Sequence, residues 1–233
     1  MTTDTASLTE DQRAAALRDA QHKADALFAE IERDLLRPGI TEAALSREIH
    51  ALAEARFGVS THWRKRVIRT GANTLTTYSD EPPDLVIQAD DILFVDLGPV
   101  FEAWEADFGR TYVLGGDPAK LKLRDALQPV FDRVKARFRA EPGMTAGTLY
   151  GLACAEAEQA GWAFGGTIAG HLVGEYPHER IQGDKRSLYI LPDNPTRLDS
   201  TDESGRKRHW ILEIHLVDRA RGFGSFHEAL LTV

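Results

Sequence analysis

Two aspartates lie eleven residues apart in segments whose composition is typical of buried β-strands. Asp96 follows the apolar run ILFV, and Asp107 interrupts the segment AWEADFGRTYVL at residues 103–114. A carboxylate that leaves water without a partner is strongly destabilised, so each aspartate needs a cation, a shared proton or a hydrogen-bond donor. A turn near residues 101–102 would fold the second segment back against the first and bring the carboxylates level. A divalent metal ion would compensate both charges, but for the aspartate pair taken alone two separate turn-capping residues are the favoured interpretation.

The second half of the chain places two more acids in apolar, strand-like segments. Glu213 lies in WILEIHLVD at residues 210–218, and Glu228 lies in FHEALLTV at residues 226–233. His171 precedes both acids in the sequence and lies between two glycines in the segment GHLVG. Four carboxylates and one imidazole suit two divalent ions, and oxygen-rich ligation favours Mn or Fe over Co or Zn. The two aspartates are therefore predicted to be half of a dinuclear metal site.

The predicted elements repeat a simple plan of two helices followed by strands. Apolar periodicity predicts helices at residues 9–36, 41–58, 118–140 and 145–159. Strands are predicted at residues 66–70, 91–100, 103–114, 167–173, 210–218 and 226–233. We therefore predict an α+β fold with two helix–helix–strand halves around a mostly antiparallel sheet, and an exposed polar loop at residues 193–208.

Composition and charge narrow the classes of partner. The net charge of −8 argues against nucleic acid or an anionic membrane as a partner. Cys154 is the single cysteine, which leaves no internal disulfide and fits a reducing cytoplasm. The polar N-terminal sequence lacks the apolar run of a signal peptide, and no stretch is long enough to span a membrane. We predict a cytoplasmic protein that acts on a small peptide or another small molecule, with a homodimer as an open option.

The order Asp, Asp, His, Glu, Glu, with the local motifs VDLG, ADFGRT and GH, resembles the pita-bread metallopeptidases. This family includes methionine aminopeptidase, aminopeptidase P, prolidase and creatinase, and the resemblance extends from about residue 10 to the end of the chain. It implies a pita-bread fold, in which two halves related by a pseudo-twofold axis surround a curved sheet. We predict one metallohydrolase domain over residues 1–233, with residues 1–8 flexible; in a departure from the family, the length leaves no room for a separate N-terminal domain of the creatinase or prolidase type.

The resemblance assigns a role to each predicted metal ligand. Asp96 would chelate one ion, and His171 with Glu213 would hold the other. Asp107 and Glu228 would bridge both ions. Two ions that share a hydroxide place a nucleophile for attack on a carbonyl, so the implied function is an aminopeptidase or dipeptidase of the Xaa-Pro or Met type.

Catalytic roles follow from the same resemblance, with some departures from the family pattern. Glu213 would accept the proton of the nucleophilic water, and His178 would contact the substrate carbonyl and stabilise the tetrahedral intermediate. Tyr78 lies where these peptidases usually have a further histidine, and His62 is an alternative for that role. His215 follows Glu213 by two residues where a Pro-Gly is usual, and it should share a strand face with Glu213 and serve as the missing histidine.

These departures leave other functions open. One is a creatinase-like hydrolysis of a non-peptide C–N bond, and another is oxygenase chemistry at a carboxylate-bridged pair of metal ions. A non-catalytic binding module is a third reading, although such modules typically lose metal ligands and the predicted ligand set is complete in this sequence.

Overall fold

The computed structural model describes residues 8–177 and 185–233. Within these ranges it contains four α-helices: α1 (Glu10–Asp34), α2 (Glu42–Phe57), α3 (Pro118–Ala140) and α4 (Ala146–Gln159). The predicted helices are therefore confirmed, with small differences at their ends. A side chain caps the start of each helix; these caps are Thr9, Thr41, Asp117 and Thr145.

The strands of the described residues are β1 (Val67–Thr70), β2 (Ile92–Leu97), β3 (Val100–Phe101), β4 (Trp104–Glu105), β5 (Phe108–Val113), β6 (Ala163–Phe164), β7 (Leu172–Val173), β8 (His209–Asp218) and β9 (Phe223–Leu230). One sheet has the order β1-β2-β5-β9-β8-β6, and β7 pairs with β8 beside β6. The strands pair in antiparallel fashion throughout the described residues, and β3 and β4 form a separate hairpin. The mixed helical and antiparallel fold predicted from the sequence is confirmed.

The strand predicted at residues 167–173 is much shorter in the structure, where only the two residues of β7 are paired as a strand. Gly170 adopts φ 136°, a conformation that side-chain-bearing residues rarely reach, and its backbone approaches the carbonyl oxygen of Ile211 too closely for a Cβ atom. Gly170 therefore lies just outside β7, and His171 immediately precedes this strand.

The helices cover one face of the sheet and leave the other face for the acids. Phe108 of β5 contacts Phe28 of α1 with ring centroids 4.9 Å apart, and His227 of β9 contacts Phe131 of α3 at 4.8 Å. Because neighbouring residues of a strand point to opposite faces, Glu228 faces away from the helices. The site therefore lies on the face of the sheet opposite α1 and α3.

In the parts of the chain that the structure describes, no helix combines the length and apolar character that crossing a membrane requires.

Candidate metal centre

Three of the predicted ligands lie in one row across four adjacent strands. Asp96 of β2 is opposite Gly109 of β5, Gly109 is opposite Glu228 of β9, and Glu228 is opposite Glu213 of β8. Directly opposed residues of antiparallel strands point to the same face of the sheet. The three carboxylates therefore lie on the same face as Gly109, which has no side chain to fill the space between them. We call Asp96, Gly109, Glu228 and Glu213 the acidic row.

Asp107 and His171 complete the cluster. Asp107 precedes Gly109 by two residues and is buried. Nδ1 of His171 donates to the carbonyl oxygen of Leu172 at 2.6 Å, since a carbonyl can only accept, and Nε2 therefore faces the acids. It lies 2.9 Å from Oδ2 of Asp107 and 3.8 Å from a carboxylate oxygen of Glu213 and of Glu228. The structure thus brings all five predicted ligands together.

A cation that sequence reasoning missed lies at the centre of this cluster. Nη2 of Arg64 lies 2.5 Å from Oδ1 of Asp96, 2.5 Å from Oδ1 of Asp107 and 2.8 Å from Oε2 of Glu228. The Arg64 side chain is only 8 % exposed. Arg64 comes just before β1, and the pairing of β1 with the strand that carries Asp96, which only the structure shows, brings it to the cluster.

The pKa values of the cluster reflect burial opposed by this guanidinium. Burial and the neighbouring carboxylates raise the pKa of Glu213 to about 8 and that of Asp96 to about 6, although Arg64 opposes both shifts. Burial also raises the pKa of Glu228 well above its ordinary value. Burial acts in the same direction on Asp107, but Arg64 and His171 outweigh it, so the pKa of Asp107 is lowered. Four acids in one dry site therefore do not all ionise readily without a strong cation.

The residues fit divalent metal ions. One ligand atom from each of Asp107, His171 and Glu228 lies within 4.8 Å of the other two. Oε1 of Glu213 and Oε1 of Glu228 are buried and have no hydrogen-bond donor among the described residues. Several carboxylate oxygens with one imidazole are a donor set that Mn, Fe, Co and Zn all accept. We call Asp107, His171 and Glu228 the compact trio. Asp96 and Glu213 lie beside it and could supply ligands to a second ion.

A second row of side chains lies beside the acidic row. Phe94 and Thr111 are opposite each other on β2 and β5, and His215 and Phe226 are opposite each other on β8 and β9. Each lies two residues from a member of the acidic row and so points to the same face. We call Phe94, Thr111, Phe226 and His215 the apolar row. It lies beside a cavity of about 280 Å³ that Phe94, Phe226, His215, Asp96, His171 and Glu213 help to line.

His215 is held in this row as a neutral imidazole. Its Nε2 lies 2.8 Å from the carbonyl oxygen of Thr74, so Nε2 carries the hydrogen. Burial lowers the pKa of His215 even though the Thr74 carbonyl acts in the opposite direction. The side chain shares the cavity with Glu213, as the spacing of the two residues on β8 predicts.

Two further predicted residues, Tyr78 and His62, lie in different places. Tyr78 also lines the cavity and is 44 % exposed, with Nζ of Lys65 4.6 Å from its ring centroid. His62 lies beside His50, with ring centroids 5.7 Å apart. His178 lies outside the described residues, so its role stays a prediction.

The fold and the buried carboxylate–imidazole cluster define a protein of the pita-bread metalloprotein class. Residues 15–200 match the model of metallopeptidase family M24. The chain belongs to this family.

Individual relatives agree with the family match. The chain is 29 % identical over 169 residues to an Xaa-Pro dipeptidase of Lactobacillus delbrueckii subsp. lactis, and the match covers 70 % of this chain and 44 % of that protein. Among solved structures, an X-Pro aminopeptidase from Thermotoga maritima has a TM-score of 0.76 at 18 % identity, over 97 % of this chain and 62 % of that chain. Dipeptidase PepE from Mycobacterium ulcerans has a TM-score of 0.74 at 24 % identity, over 99 % of this chain and 56 % of that chain. The chain thus spans about half the length of the relatives it matches.

Proposed function

We propose that this protein is a metal-dependent exopeptidase that hydrolyses Xaa-Pro or related dipeptides, with Mn or Fe as the favoured ions. The observation that carries the proposal is the acidic row with Asp107 and His171, which form a buried donor set for divalent ions at the end of a small cavity. Family membership and the Xaa-Pro dipeptidase relative support the peptide substrate.

Divalent ions bound in this cluster supply water activation and polarisation of a substrate carbonyl. Glu213 is the side chain we assign to accept a proton at the cluster, because its Oε1 is buried without a hydrogen-bond donor among the described residues and the side chain lines the cavity. The negative charge of the cluster also attracts a free N-terminal ammonium group.

The cavity supports a short substrate. A volume of about 280 Å³ is at the lower end of small-molecule pockets, which suits a dipeptide better than a long chain. Phe94 and Phe226 lie at one side of the cavity and provide an apolar surface for the ring of a proline or another apolar side chain. His215 lies between this surface and Glu213, within the same cavity.

The test is a substrate panel on protein stripped with a chelator and reloaded with Mn²⁺. The panel contains Xaa-Pro dipeptides, Met-Xaa dipeptides, the same dipeptides with an acetylated N-terminus, and C-terminally extended tripeptides. We expect cleavage of free dipeptides, with acetylation and extension each reducing the rate. Absence of peptide cleavage by protein that holds stoichiometric Mn²⁺ would contradict the proposal, and cleavage of creatine in the same assay would favour the creatinase-like alternative.

A further inference from the structure

Arg64 connects three acids that come from distant parts of the chain. Its Nη2 contacts Asp96, Asp107 and Glu228, and its Nε donates to Oδ1 of Asp107 at 3.1 Å. The carboxylates also raise the pKa of the guanidinium well above its ordinary value against the effect of burial. The side chain is therefore a permanent positive charge inside the cluster.

Two metal ions would need the oxygen atoms that Arg64 contacts in addition to the buried Oε1 atoms of Glu213 and Glu228. A divalent ion sits about 2.0–2.3 Å from a carboxylate oxygen, and an arginine nitrogen 2.5–2.8 Å from that oxygen occupies the same space and repels the ion. We infer that Arg64 is an internal counter-cation that competes with metal ions for the acidic cluster and leaves it when the cluster is fully loaded. This inference rests on the proposed metal site and adds a means of controlling its occupancy.

The surroundings of Arg64 permit such an exchange. Arg64 belongs to residues 61–66, which contain no helix or extended strand and which we call the front segment. The backbone N–H of Trp63 donates to the carbonyl of Gly98 at 2.9 Å, so the backbone of the segment is attached beside β2, while the hydrogen bonds of the Arg64 side chain within the described residues go to the acids. The guanidinium lies 5.3 Å from the ring centroids of both Trp63 and Tyr78. Tyr78, which is partly exposed, offers an aromatic surface for Arg64 outside the cluster.

The first experiment compares Mn²⁺ binding to the chelator-treated wild type, Arg64→Met and Arg66→Met by calorimetry. Arg66 is the matched control, because it lies in the same segment and its Nε donates to Ser46 instead of the acids. We expect Arg64→Met to bind Mn²⁺ roughly ten- to a hundredfold more tightly than the wild type, since loss of one charged hydrogen-bonded competitor corresponds to about that ratio. Arg66→Met should bind like the wild type.

Thermal unfolding of the same proteins adds a readout that is independent of activity. Without metal, Arg64→Met should unfold about 5 °C or more below the wild type, because the acids lose their counter-cation. Saturating Mn²⁺ should remove most of that difference, while Arg66→Met should show no such dependence on metal. A loss of stability in Arg64→Met that Mn²⁺ does not reduce would contradict the inference.

The second experiment uses the wild type, so it does not depend on the folding of a variant. Phenylglyoxal modifies accessible arginines, and peptide mass spectrometry locates the product. We expect Arg64 to be protected in chelator-treated protein and to become reactive when Mn²⁺ binds. Arg37 is the internal reference, because its side chain is 48 % exposed and should react in both states.

The outcomes separate this inference from the proposed function. Equal Mn²⁺ affinity of the wild type and Arg64→Met, with Arg64 still protected in the loaded wild type, would overturn the inference and leave peptide hydrolysis unaffected. Mn²⁺ binding by Arg64→Met alone would support the inference and contradict the proposed function of the wild type.

Discussion

The acidic row and the front segment meet at the same cluster, but they are held in different ways. Each acid of the row lies on a strand whose register is fixed by antiparallel pairing on both sides or by burial of the neighbouring residues. The front segment has no such ladder, and its one strong attachment inside the cluster is the side chain of Arg64. The comparison suggests that the row forms a rigid set of ligands while the segment supplies the adjustable part of the site.

The largest effect should come from removing the charge of a predicted metal ligand. Asp107→Asn or Glu228→Gln each remove a charge that the compact trio requires, so we expect loss of most bound Mn²⁺ and a fall in dipeptide turnover of more than about a hundredfold. Metal content is measured by mass spectrometry of protein purified without added metal. Asp218→Asn is the control, because Asp218 lies on β8 and pairs with Arg221 outside the cluster. Full metal occupancy in both cluster variants would show that these residues are not the ligands.

A smaller effect is expected from the apolar row, which should affect turnover without affecting metal binding. His215→Ala removes an imidazole that is neutral at neutral pH and bonded to the Thr74 carbonyl, and we expect turnover to fall roughly ten- to a hundredfold at unchanged metal content. The acidic limb of the pH–rate profile should also change. Tyr78→Phe should have less effect, because a phenol with a pKa near 10 exchanges protons poorly at neutral pH. Wild-type rates of His215→Ala at every pH would discard the catalytic role.

The smallest effect is expected from His62 of the front segment, and it concerns the pH dependence of the free energy of unfolding. Burial, with smaller contributions from Arg66 and His50, lowers the pKa of His62 to about 4, and its ring nitrogens have no hydrogen-bond partner among the described residues. Between pH 6.5 and pH 4 the unfolded chain binds a proton that the folded protein excludes, so folding becomes less stable as the pH falls through this window. We expect His62→Asn to remove about 1–2 kcal/mol of the stability difference between pH 7 and pH 5. Denaturant unfolding at the two pH values measures it, and an unchanged pH dependence would show that His62 titrates normally.

Much of the fold could be predicted because its signals are local. The apolar spacing and the capping residue Thr9 specify α1, and Gly58 ends α2 in a left-handed conformation that favours glycine. The acids were found because a carboxylate in an apolar strand is costly without a partner. The short strand β6 was not predicted, since its two residues carry too little pattern for a periodicity argument.

The sequence by itself determined the helices and the main strands, because these depend on local patterns of apolar spacing and capping. Its motifs indicated the family by resemblance, and the assignment of the acids and His171 to one metal site stays a prediction. Only the tertiary structure decided that Arg64 enters the cluster, since its partner Glu228 is 164 residues away and no local pattern relates the two. The same holds for His215 and the Thr74 carbonyl, which are 141 residues apart. The balance of charge inside a buried site depends on which distant segments fold against it, and that is fixed only when the whole chain is packed.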